Sequence, residues 1–299
     1  MKIIKKIKNI IPSIISEVGF KYKEFCHWYE NGRMYRKHII ALGVGNIFRV
    51  SDRELPEELE SKNLLKIFGY KNATDNSIFS KVRREIGEEI IGSVAESIIQ
   101  RLYKNRWLSI IAIDSTYVPY YFKKDKDVDW GHATLSWKEK KMLIARIRNE
   151  EIGKKKDLRK EYKLHVIYDV ETDILLYWVV LPANIHDKVV FKTLFDYIKS
   201  HFRVVHDAKF LADSGYDSTD IRFTLRESGF IDVIAINGRG HYKSSKPKDK
   251  DYRKRTAIER FNSLLKMKLN LLYVRFNGIQ SITAHVSSCI FGYLLKYIL

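Results

Sequence analysis

The sequence predicts an α/β fold in which a mixed β-sheet is flanked by helices and preceded by an N-terminal helical domain. Two observations predict it. Short apolar, β-branched runs alternate with helical patterns from residue 105 onward, whereas residues 1–104 are polar and mostly helical in pattern. We therefore expect a helical domain over 1–104, a sheet-containing domain over 105–299, and a C-terminal packing helix over 278–299.

Short helices joined by turns are predicted in the N-terminal domain. Residues 74–76 (Thr-Asp-Asn) supply cap candidates for a helix that continues through Ile86. One face of this helix carries Arg83 and Arg84, so the segment is compatible with a helix-turn-helix that binds DNA. A solvated helix face explains the same pattern, and the sequence leaves both interpretations open.

The elements after residue 105 alternate between strands and helices. A charged stretch from Lys123 to Lys163 has too little apolar pattern for a core element throughout, and we interpret much of it as an insertion or surface excursion. Strands are predicted over 108–114, 162–170, 174–182, 208–213 and 231–237, with a hairpin turn at 171–173 and helices over 184–198, 218–228 and from about Arg255. This order of elements is also that of the ribonuclease-H-like fold.

The chain is strongly basic, with 54 Lys and Arg residues against 36 Asp and Glu residues and a formal net charge of +18. So large an excess favours a polyanionic partner, because each phosphate that Lys or Arg neutralises releases condensed counterions. Nucleic acid is the partner that we expect. A basic protein without such a partner and a protein that binds an anionic membrane surface are the alternatives.

Cysteine usage and hydropathy favour a protein of the cell interior. Cys26 and Cys289 lie far apart and lack metal-ligand spacing, which excludes a disulfide scaffold. The N-terminus lacks the uninterrupted apolar core and the cleavage site of a signal peptide. The apolar run over 279–299 contains His285 and Lys296, which favours a packed helix over a membrane span. We expect a cytoplasmic protein that associates with the nucleoid and not with a membrane.

Two acidic residues each end an apolar run that is predicted to be a strand. Asp114 precedes Ser115, and Asp213 precedes Ser214. An acid at that point is expected at the rim of the sheet, because an unpaired charge in the core would be prohibitive. Two such carboxylates repel each other and are tolerated best with a divalent cation between them, and hard oxygen ligands favour Mg²⁺ or Mn²⁺. Taken alone, an acid after a strand more often caps a loop.

The final helix carries a narrow stripe of polar and charged side chains. At 100° per residue, the members of the stripe are Arg255, Glu259, Asn262 and Lys266, together with Tyr252 if the helix extends back that far. An Arg–Glu pair four residues apart is also ordinary support for a helix. That interpretation explains the pair but not the whole stripe.

The stripe has the spacing Y-x2-R-x3-E-x6-K, which resembles the signature of DDE transposases from bacterial and archaeal insertion sequences. The blocks IAIDST around Asp114, ANIHD at 183–187 and FLADSGYDS at 210–218 resemble the other conserved blocks of that family, in the same order. The resemblance covers about residues 107–270, whereas the first hundred residues match only in being helical.

The resemblance implies a ribonuclease-H-like catalytic domain whose triad, and whose ligands for two Mg²⁺ or Mn²⁺ ions, are Asp114, Asp213 and Glu259. In a two-metal site, one ion activates the attacking water or DNA 3′-hydroxyl and the other stabilises the leaving oxygen. The short gap from Asp213 to Glu259 implies that the long β-rich insertion of some members is absent. The implied partners are terminal inverted repeats, target DNA and a second copy of the chain in the synaptic complex.

Further residues are expected to contact DNA. The resemblance implies that Tyr252, Arg255 and Lys266 handle the transposon-end strand that is not transferred. The basic loop over 238–255 is interpreted as a phosphate-binding segment, with a solvated linker as the alternative. Its candidate DNA-contacting residues are Lys243, Arg253 and Lys254.

Four residues are candidates for supporting the site: Asn184, His186, Asp187 and Asn262. Asn262 shares the stripe of the final helix. His186 and Asp187 either brace the site or cap the helix that follows, and the cap is the favoured role.

Three other functions fit parts of the pattern. A ribonuclease-H-like nuclease would cut nucleic acid without joining it, but simple hydrolysis does not need the Tyr-Arg-Lys stripe or the basic loop. An inactive, domesticated DNA-binding protein has no reason to keep clustered carboxylates, which are costly to hold together. A phosphatase with an aspartyl nucleophile is least favoured, because Asp114 lacks a second acid two residues on.

Overall fold

A computed structural model describes most of the chain between residues 33 and 298. The described residues are 33–66, 68–72, 74–119, 129–131, 159–238, 245–274 and 278–298. Lys243, Cys26 and the whole N-terminal segment before residue 33 lie outside this part of the chain, as does the side chain of Arg84.

Three helices precede the sheet in the described part of the chain: α1 (Arg33–Phe48), α2 (Leu55–Ser61) and α3 (Ser77–Tyr103). The helix predicted after residues 74–76 is present, and Asp75 Oδ1 accepts a hydrogen bond from the backbone N–H of Ser77 at 2.6 Å. It extends well past Ile86, because Ile91, Val94 and Ile98 continue its apolar face and are buried.

The described residues form one six-stranded sheet. Its strands are β1 (Trp107–Pro119), β2 (Asp129–Gly131), β3 (Arg159–Asp169), β4 (Ile174–Pro182), β5 (Arg203–Ala212) and β6 (Ile231–Ile234). β3 pairs antiparallel with β1 on one side and with β4 and β2 on the other, and β5 pairs parallel with β1 and β6. The order β4–β3–β1–β5–β6 confirms the predicted mixed sheet of the ribonuclease-H-like type.

Helices cover both faces of this sheet. They are α4 (Asp187–His201), α5 (Thr219–Glu227), α6 (Thr256–Lys268) and α7 (Ile279–Ile298), with 3₁₀ turns at Ser214–Tyr216 and Lys250–Arg255. The first residue of α4 contacts Ser115, whereas α6 contacts Asp114 through Asn262. Because consecutive residues of a strand point to opposite faces, α4 and α6 lie on opposite faces of the sheet.

The buried core runs across the predicted domain boundary at residue 104. α7 packs against α1, α3 and β4, and apolar residues from all of these elements belong to one buried cluster. The approach of α1 to α7 depends on glycine, because a Cβ on Gly43 would stand 2.4 Å from the Phe291 ring and one on Gly292 would stand 2.9 Å from the Gly43 carbonyl oxygen. The helical region therefore packs on the sheet region through α7.

Three strands, β1, β3 and β5, are longer than predicted, and β5 begins at Arg203 instead of at residue 208. β1 continues past Asp114 to Pro119, because β3 pairs with it as far as Glu161. β3 itself begins at Arg159, inside the stretch that we interpreted as a surface excursion, and the side chains of Glu161 and Lys163 are buried. The prediction that Asp114 ends its strand is therefore wrong.

The prediction that Arg83 contacts DNA is also wrong. Its side chain is only 3% exposed, and its guanidinium makes two hydrogen bonds to Asp52, at 2.8 and 2.9 Å. A third hydrogen bond, at 2.5 Å, joins it to the hydroxyl of Ser288 in α7. Arg83 thus connects the N-terminal helices to α7, and its position on α3 faces the core instead of solvent.

The described helices fall short of the combination of length and apolar character that a lipid bilayer requires of a spanning helix. Within this part of the chain, none of them is both long and apolar enough to cross a membrane.

Candidate active site

Asp114 lies within β1, at the point where the neighbouring strand β5 comes to its end. β1 pairs with β5 as far as Ala112 and Leu211, and farther along it is β3 that continues beside β1. The Asp114 side chain points to the face that α6 covers. There the Asn262 Nδ2 donates a hydrogen bond to Asp114 Oδ2 at 3.1 Å, and Arg255 Nη1 lies 3.8 Å from Asp114 Oδ1.

Asp213 follows β5 directly and caps the 3₁₀ turn Ser214–Tyr216. Its Oδ1 accepts a hydrogen bond from the backbone N–H of Gly215 at 2.8 Å. A side chain at residue 215 would disturb this contact, because a Cβ there would stand 2.9 Å from the same oxygen. The turn therefore holds the carboxylate just beyond the rim of the sheet.

Glu259 lies in the first turn of α6, and its side chain is half exposed. It accepts a hydrogen bond from the Arg255 guanidinium. Arg255 also forms the longer ion pair with Asp114. Its guanidinium therefore pairs with two of the three predicted catalytic acids.

The carboxylates of Asp213 and Glu259 lie close enough to Asp114 to affect its ionisation. Burial raises the pKa of Asp114 to about 7; Arg255 opposes this shift, whereas the carboxylates of Asp213 and Glu259 add to it. The structure therefore brings the predicted triad into one electrostatic cluster. Within the described residues, however, no group of three or more His, Cys, Asp or Glu side chains has the arrangement of a metal-binding set.

The stripe predicted on the final helix lies beside these acids. The Arg255 guanidinium lies 5.9 Å from the centre of the Tyr252 ring, although Tyr252 belongs to the 3₁₀ turn that precedes α6. Burial lowers the pKa of Lys266, and the carboxylates of Glu161 and Asp114 oppose this effect. Arg255 and Lys266 thus face carboxylates in this structure, and their contact with a DNA phosphate stays a prediction.

The 3₁₀ turn before α6 is held on the sheet by a lysine of β5. Lys209 Nζ contacts Asp249 Oδ2 at 2.8 Å and Asp251 Oδ2 at 2.6 Å. Asp251 also pairs with Lys254, at 2.8 Å. Lys254 and Arg253 are exposed, as residues that contact DNA would be.

A groove of about 960 Å³ opens along this turn and reaches Glu259. It is lined mainly by basic residues, together with Tyr252, Asp249 and Glu259. The lining residues are Lys246, Pro247, Lys248, Asp249, Lys250, Tyr252, Arg253, Arg255, Thr256 and Glu259. The groove therefore joins the basic segment to the acidic cluster.

The predicted supporting residues take different positions. Asn262 is buried and contacts Asp114, as described above, whereas Asn184 is exposed in the turn before α4. His186 is the N-cap of α4, and its Nδ1 accepts a hydrogen bond from the backbone N–H of Lys188 at 3.3 Å, so the predicted cap is confirmed for this residue. The side chain of Asp187 does not cap the helix but contacts the sheet.

The polar residues that meet Asp187 on the sheet were missed in the sequence. Asp187 Oδ1 accepts hydrogen bonds from Lys163 Nζ at 3.0 Å and Ser115 Oγ at 3.1 Å, and His165 Nδ1 lies 3.6 Å from it. The sequence did contain a signal for them. Lys163 and His165 are two residues apart in the strand YKLHVIYDV, and this spacing puts both side chains on the same face of the sheet.

Sequence comparison identifies one family. A family model described as "Transposase DDE domain" matches residues 108–295, which is more than half of the chain and includes the three acids of the cluster. No curated protein sequence matches the chain.

Structure comparison finds distant likenesses. The chain is similar to a piggyBac transposase in a synaptic complex with hairpin DNA, at 10% identity and a TM-score of 0.46, over 99% of this chain and 72% of that one. It is also similar to the Mos1 mariner transposase in paired-end complexes with Mn and with Mg. Both of these matches are 14% identical and cover 84% of this chain and 76% of the other, with TM-scores of 0.35 and 0.29.

Proposed function

The chain belongs to the transposase DDE domain family, and on this premise we propose that it cuts the ends of an insertion sequence and joins them to target DNA. Enzymes of this family are polynucleotidyl transferases, so cleavage and joining are both displacements at a DNA phosphorus. The observation that supports the proposal for this chain is the acidic cluster, in which burial, and with it the carboxylates of Asp213 and Glu259, raises the pKa of Asp114.

Divalent cations fit the chemistry of this cluster. The DDE family uses them, and three carboxylates supply the hard oxygen donors that Mg²⁺ and Mn²⁺ prefer. Mutual repulsion among Asp114, Asp213 and Glu259 is the condition that a bound cation relieves. We propose that these residues hold two ions, which when bound supply an activated nucleophile and a stabilised leaving oxygen.

The chain's own residues orient the carboxylates. Asn262 holds one oxygen of Asp114, and the N–H of Gly215 holds one oxygen of Asp213, so both groups are fixed before DNA arrives. Arg255 offsets the charge of Asp114 and Glu259. The Arg255 guanidinium is a planar donor that suits phosphate as well as carboxylate. It is therefore able to leave a carboxylate and bind a DNA phosphate when a DNA strand enters the groove.

DNA is the partner that the charge of the chain suits best. The net charge of +18 and the basic groove favour binding of a phosphate backbone, with an affinity that falls as salt rises. We propose that Tyr252, Arg253, Lys254 and Lys266 contact the transposon end there, and that the helical N-terminal region adds to DNA binding. Synapsis of two ends makes a DNA-bound homodimer the expected assembly, acting on DNA of the nucleoid in the cytoplasm.

The test is a cleavage and joining assay with a labelled transposon end that carries a free 3′-hydroxyl. Asp213→Asn is expected to abolish Mg²⁺-dependent cleavage and joining, because it removes a carboxylate from the cluster, while binding of the same DNA is retained. Asp220→Asn is the matched control, since this acid is exposed at the start of α5 and its change should leave both activities intact.

The outcomes separate the candidate functions. Cleavage without joining by the unchanged protein would indicate a nuclease. DNA binding without any metal-dependent cleavage would indicate a domesticated remnant. Retained cleavage in Asp213→Asn would contradict the assignment of the catalytic acids.

A further inference from the structure

The N-terminus of α4 is packed against the turn that carries Asp213. The Nζ of Lys188 donates a hydrogen bond to the carbonyl oxygen of Asp217, just after the 3₁₀ turn. The Asp187 Oδ2 lies 3.2 Å from the position that a Cβ of Gly215 would take, and Asp213 Oδ1 lies 2.9 Å from the same point. The carboxylates of Asp187 and Asp213 therefore both lie beside Gly215.

Tyr216 shows that Asp187 shares its surroundings with the catalytic acids. Its hydroxyl is fully buried and has no hydrogen-bond partner among the described residues. Burial raises the pKa of Tyr216 well above its usual value, and the carboxylates of Asp187, Asp114 and Asp213 add to this effect. The Tyr216 hydroxyl is therefore near enough to all three carboxylates to be affected by each of them.

Lys163 is the counter-ion of Asp187. Its side chain is 10% exposed, and its ammonium lies 3.0 Å from Asp187 Oδ1 and 5.5 Å from the centre of the Tyr117 ring. Burial lowers the pKa of the adjacent His165 to about 4, so the imidazole is neutral at neutral pH. Lys163 and Asp187 are therefore the ion pair of this cluster, and the buried carboxylate of Glu161 acts together with them on the neighbouring Tyr117.

A pair of this kind contributes little to stability on balance. Removing two charges from water costs about as much as their attraction returns, and apolar residues of similar size would serve the fold as well. The position of the pair, directly behind the Asp213 turn, is thus better explained by an effect on the acidic cluster than by an effect on folding.

We propose that Asp187 and Lys163 are positioning residues that set the affinity of the acidic cluster for divalent cations. Asp187 adds a fourth carboxylate beside Asp213, and Lys163 offsets its charge. This inference rests on the proposed function, because it takes Asp114, Asp213 and Glu259 as the cation-binding acids. It adds two residues, on the opposite face of the sheet from α6, whose charges act on the cations through space and through the Gly215 turn.

The test measures binding of Mn²⁺ alone to the full chain by electron paramagnetic resonance, without DNA and without turnover. Asp187→Asn removes the negative charge and leaves Lys163 unopposed, so Mn²⁺ affinity is expected to fall about tenfold, within the range known for outer-shell changes. Lys163→Met leaves Asp187 unopposed, so Mn²⁺ affinity is expected to rise. The double variant, which removes both charges, is expected to lie between the two.

Opposite shifts distinguish this role from a structural one. If the pair only braced the fold, both single variants would weaken Mn²⁺ binding or leave it unchanged, and either result would overturn the proposal. If Asp187→Asn does not fold, Lys163→Met compared with Lys163→Arg decides the matter, because only the first change removes the charge. A rise in affinity in the Met variant alone supports the proposal, and equal affinities contradict it.

Asp213→Asn separates this inference from the proposed function. Loss of Mn²⁺ binding in that variant, with no effect of the Asp187 and Lys163 changes, would contradict the inference and leave the proposed function standing. Unchanged Mn²⁺ binding in Asp213→Asn would contradict the proposed cation site itself.

Discussion

At the scale of single residues, the site depends on small groups that hold each acid in place. Asn262 contacts Asp114, and the backbone of Gly215 contacts Asp213, whereas Glu259 is held by Arg255. Gly215 leaves no room for a side chain, because two carboxylate oxygens lie within 3.2 Å of the position that its Cβ would take. Residue 215 therefore needs to be glycine because carboxylate oxygens approach its Cα closely, and not because its backbone adopts a positive φ.

Gly215→Ala should impair catalysis more than folding. The new Cβ would stand 2.9 Å from Asp213 Oδ1 and 3.2 Å from Asp187 Oδ2, so at least one carboxylate must move. We expect DNA cleavage to fall about ten- to a hundredfold, as when the partners of metal ligands are altered. The measurement is the cleavage rate under saturating Mg²⁺, together with the midpoint of thermal unfolding.

The matched control for this change is Gly92→Ala in α3. A Cβ there would meet the hydroxyl of Ser287 at 3.8 Å and the Trp178 ring at 4.0 Å, which are ordinary contacts. Alanine in a helix should stabilise the protein by up to about 1 kcal/mol and leave the cleavage rate unchanged. Equal cleavage rates for the two alanine variants would contradict the role given to Gly215.

At the scale of secondary-structure elements, ion pairs connect segments that the sheet alone does not join. Lys209 holds the 3₁₀ turn before α6 on β5, as described above. Arg222 and Arg226 of α5 both bind Asp232 of β6, at 2.6 and 2.7 Å. The first link sets where Arg255 stands, and the second fixes α5 on the edge strand next to the Asp213 turn.

The link between α5 and β6 should make stability depend on pH. Burial raises the pKa of Asp232, but hydrogen bonds from Arg226 and Arg222 outweigh this effect and hold its pKa below the usual value. A lowered folded-state pKa means that the stabilisation is present above the unfolded-state pKa and is lost as pH falls through the folded-state value. The relevant range is therefore acidic, below about pH 4.

Asp232→Asn tests this dependence by urea unfolding of the variant and the unchanged protein. At pH 7 we expect the variant to lose about 2 kcal/mol of unfolding free energy, since hydrogen bonds to charged groups are worth about 1.5–3 kcal/mol. The difference should shrink as pH falls below 4, because the aspartate of the unchanged protein is then protonated as well. A difference that stays constant down to low pH would show that charge is not its cause.

At the scale of the whole molecule, the N-terminal helices and the sheet share one core through α7. Arg83 is one polar connection, because it joins Asp52, between α1 and α2, to Ser288 in α7. Its partner Ser288 also accepts a hydrogen bond from Asn46 of α1 at 2.8 Å. We therefore expect the helical region and the sheet region to unfold together.

Arg83→Met tests this coupling. The change leaves the Asp52 carboxylate, which is 10% exposed, without its partner, and breaking one side of a buried pair costs about 3–5 kcal/mol. Urea unfolding should shift to lower denaturant for helix and sheet probes alike, by circular dichroism and by Trp178 fluorescence. If only the helix probe shifts, the two regions unfold independently.

Arg260→Met is the control for the same substitution at the surface. Arg260 pairs with Asp173 at 3.3 Å, but both side chains are at least half exposed. Such pairs contribute less than about 1 kcal/mol, so little change is expected. Loss of DNA affinity in Arg83→Met without loss of stability would restore the original interpretation of Arg83 as a DNA contact.

The sequence by itself determined the order of strands and helices and the polar stripe around Glu259, because both follow from local periodicity, whereas the three acids were indicated by the family resemblance. Alternating apolar runs predicted the mixed sheet, and Asp213 lies just after its strand as predicted, whereas Asp114 lies inside β1. The family block at 183–187 also pointed to the start of α4, where His186 caps the helix as predicted.

Only the tertiary structure decided what lies opposite each of these residues. β1 passes Asp114 because β3, far along the chain, continues to pair with it, and Arg83 is buried because Asp52 and Ser288 meet it from separate segments. Lys163 likewise becomes the partner of Asp187 only when α4 packs on the sheet. Local periodicity reports which face of an element is apolar, but the partner of a polar side chain depends on contacts between distant parts of the chain.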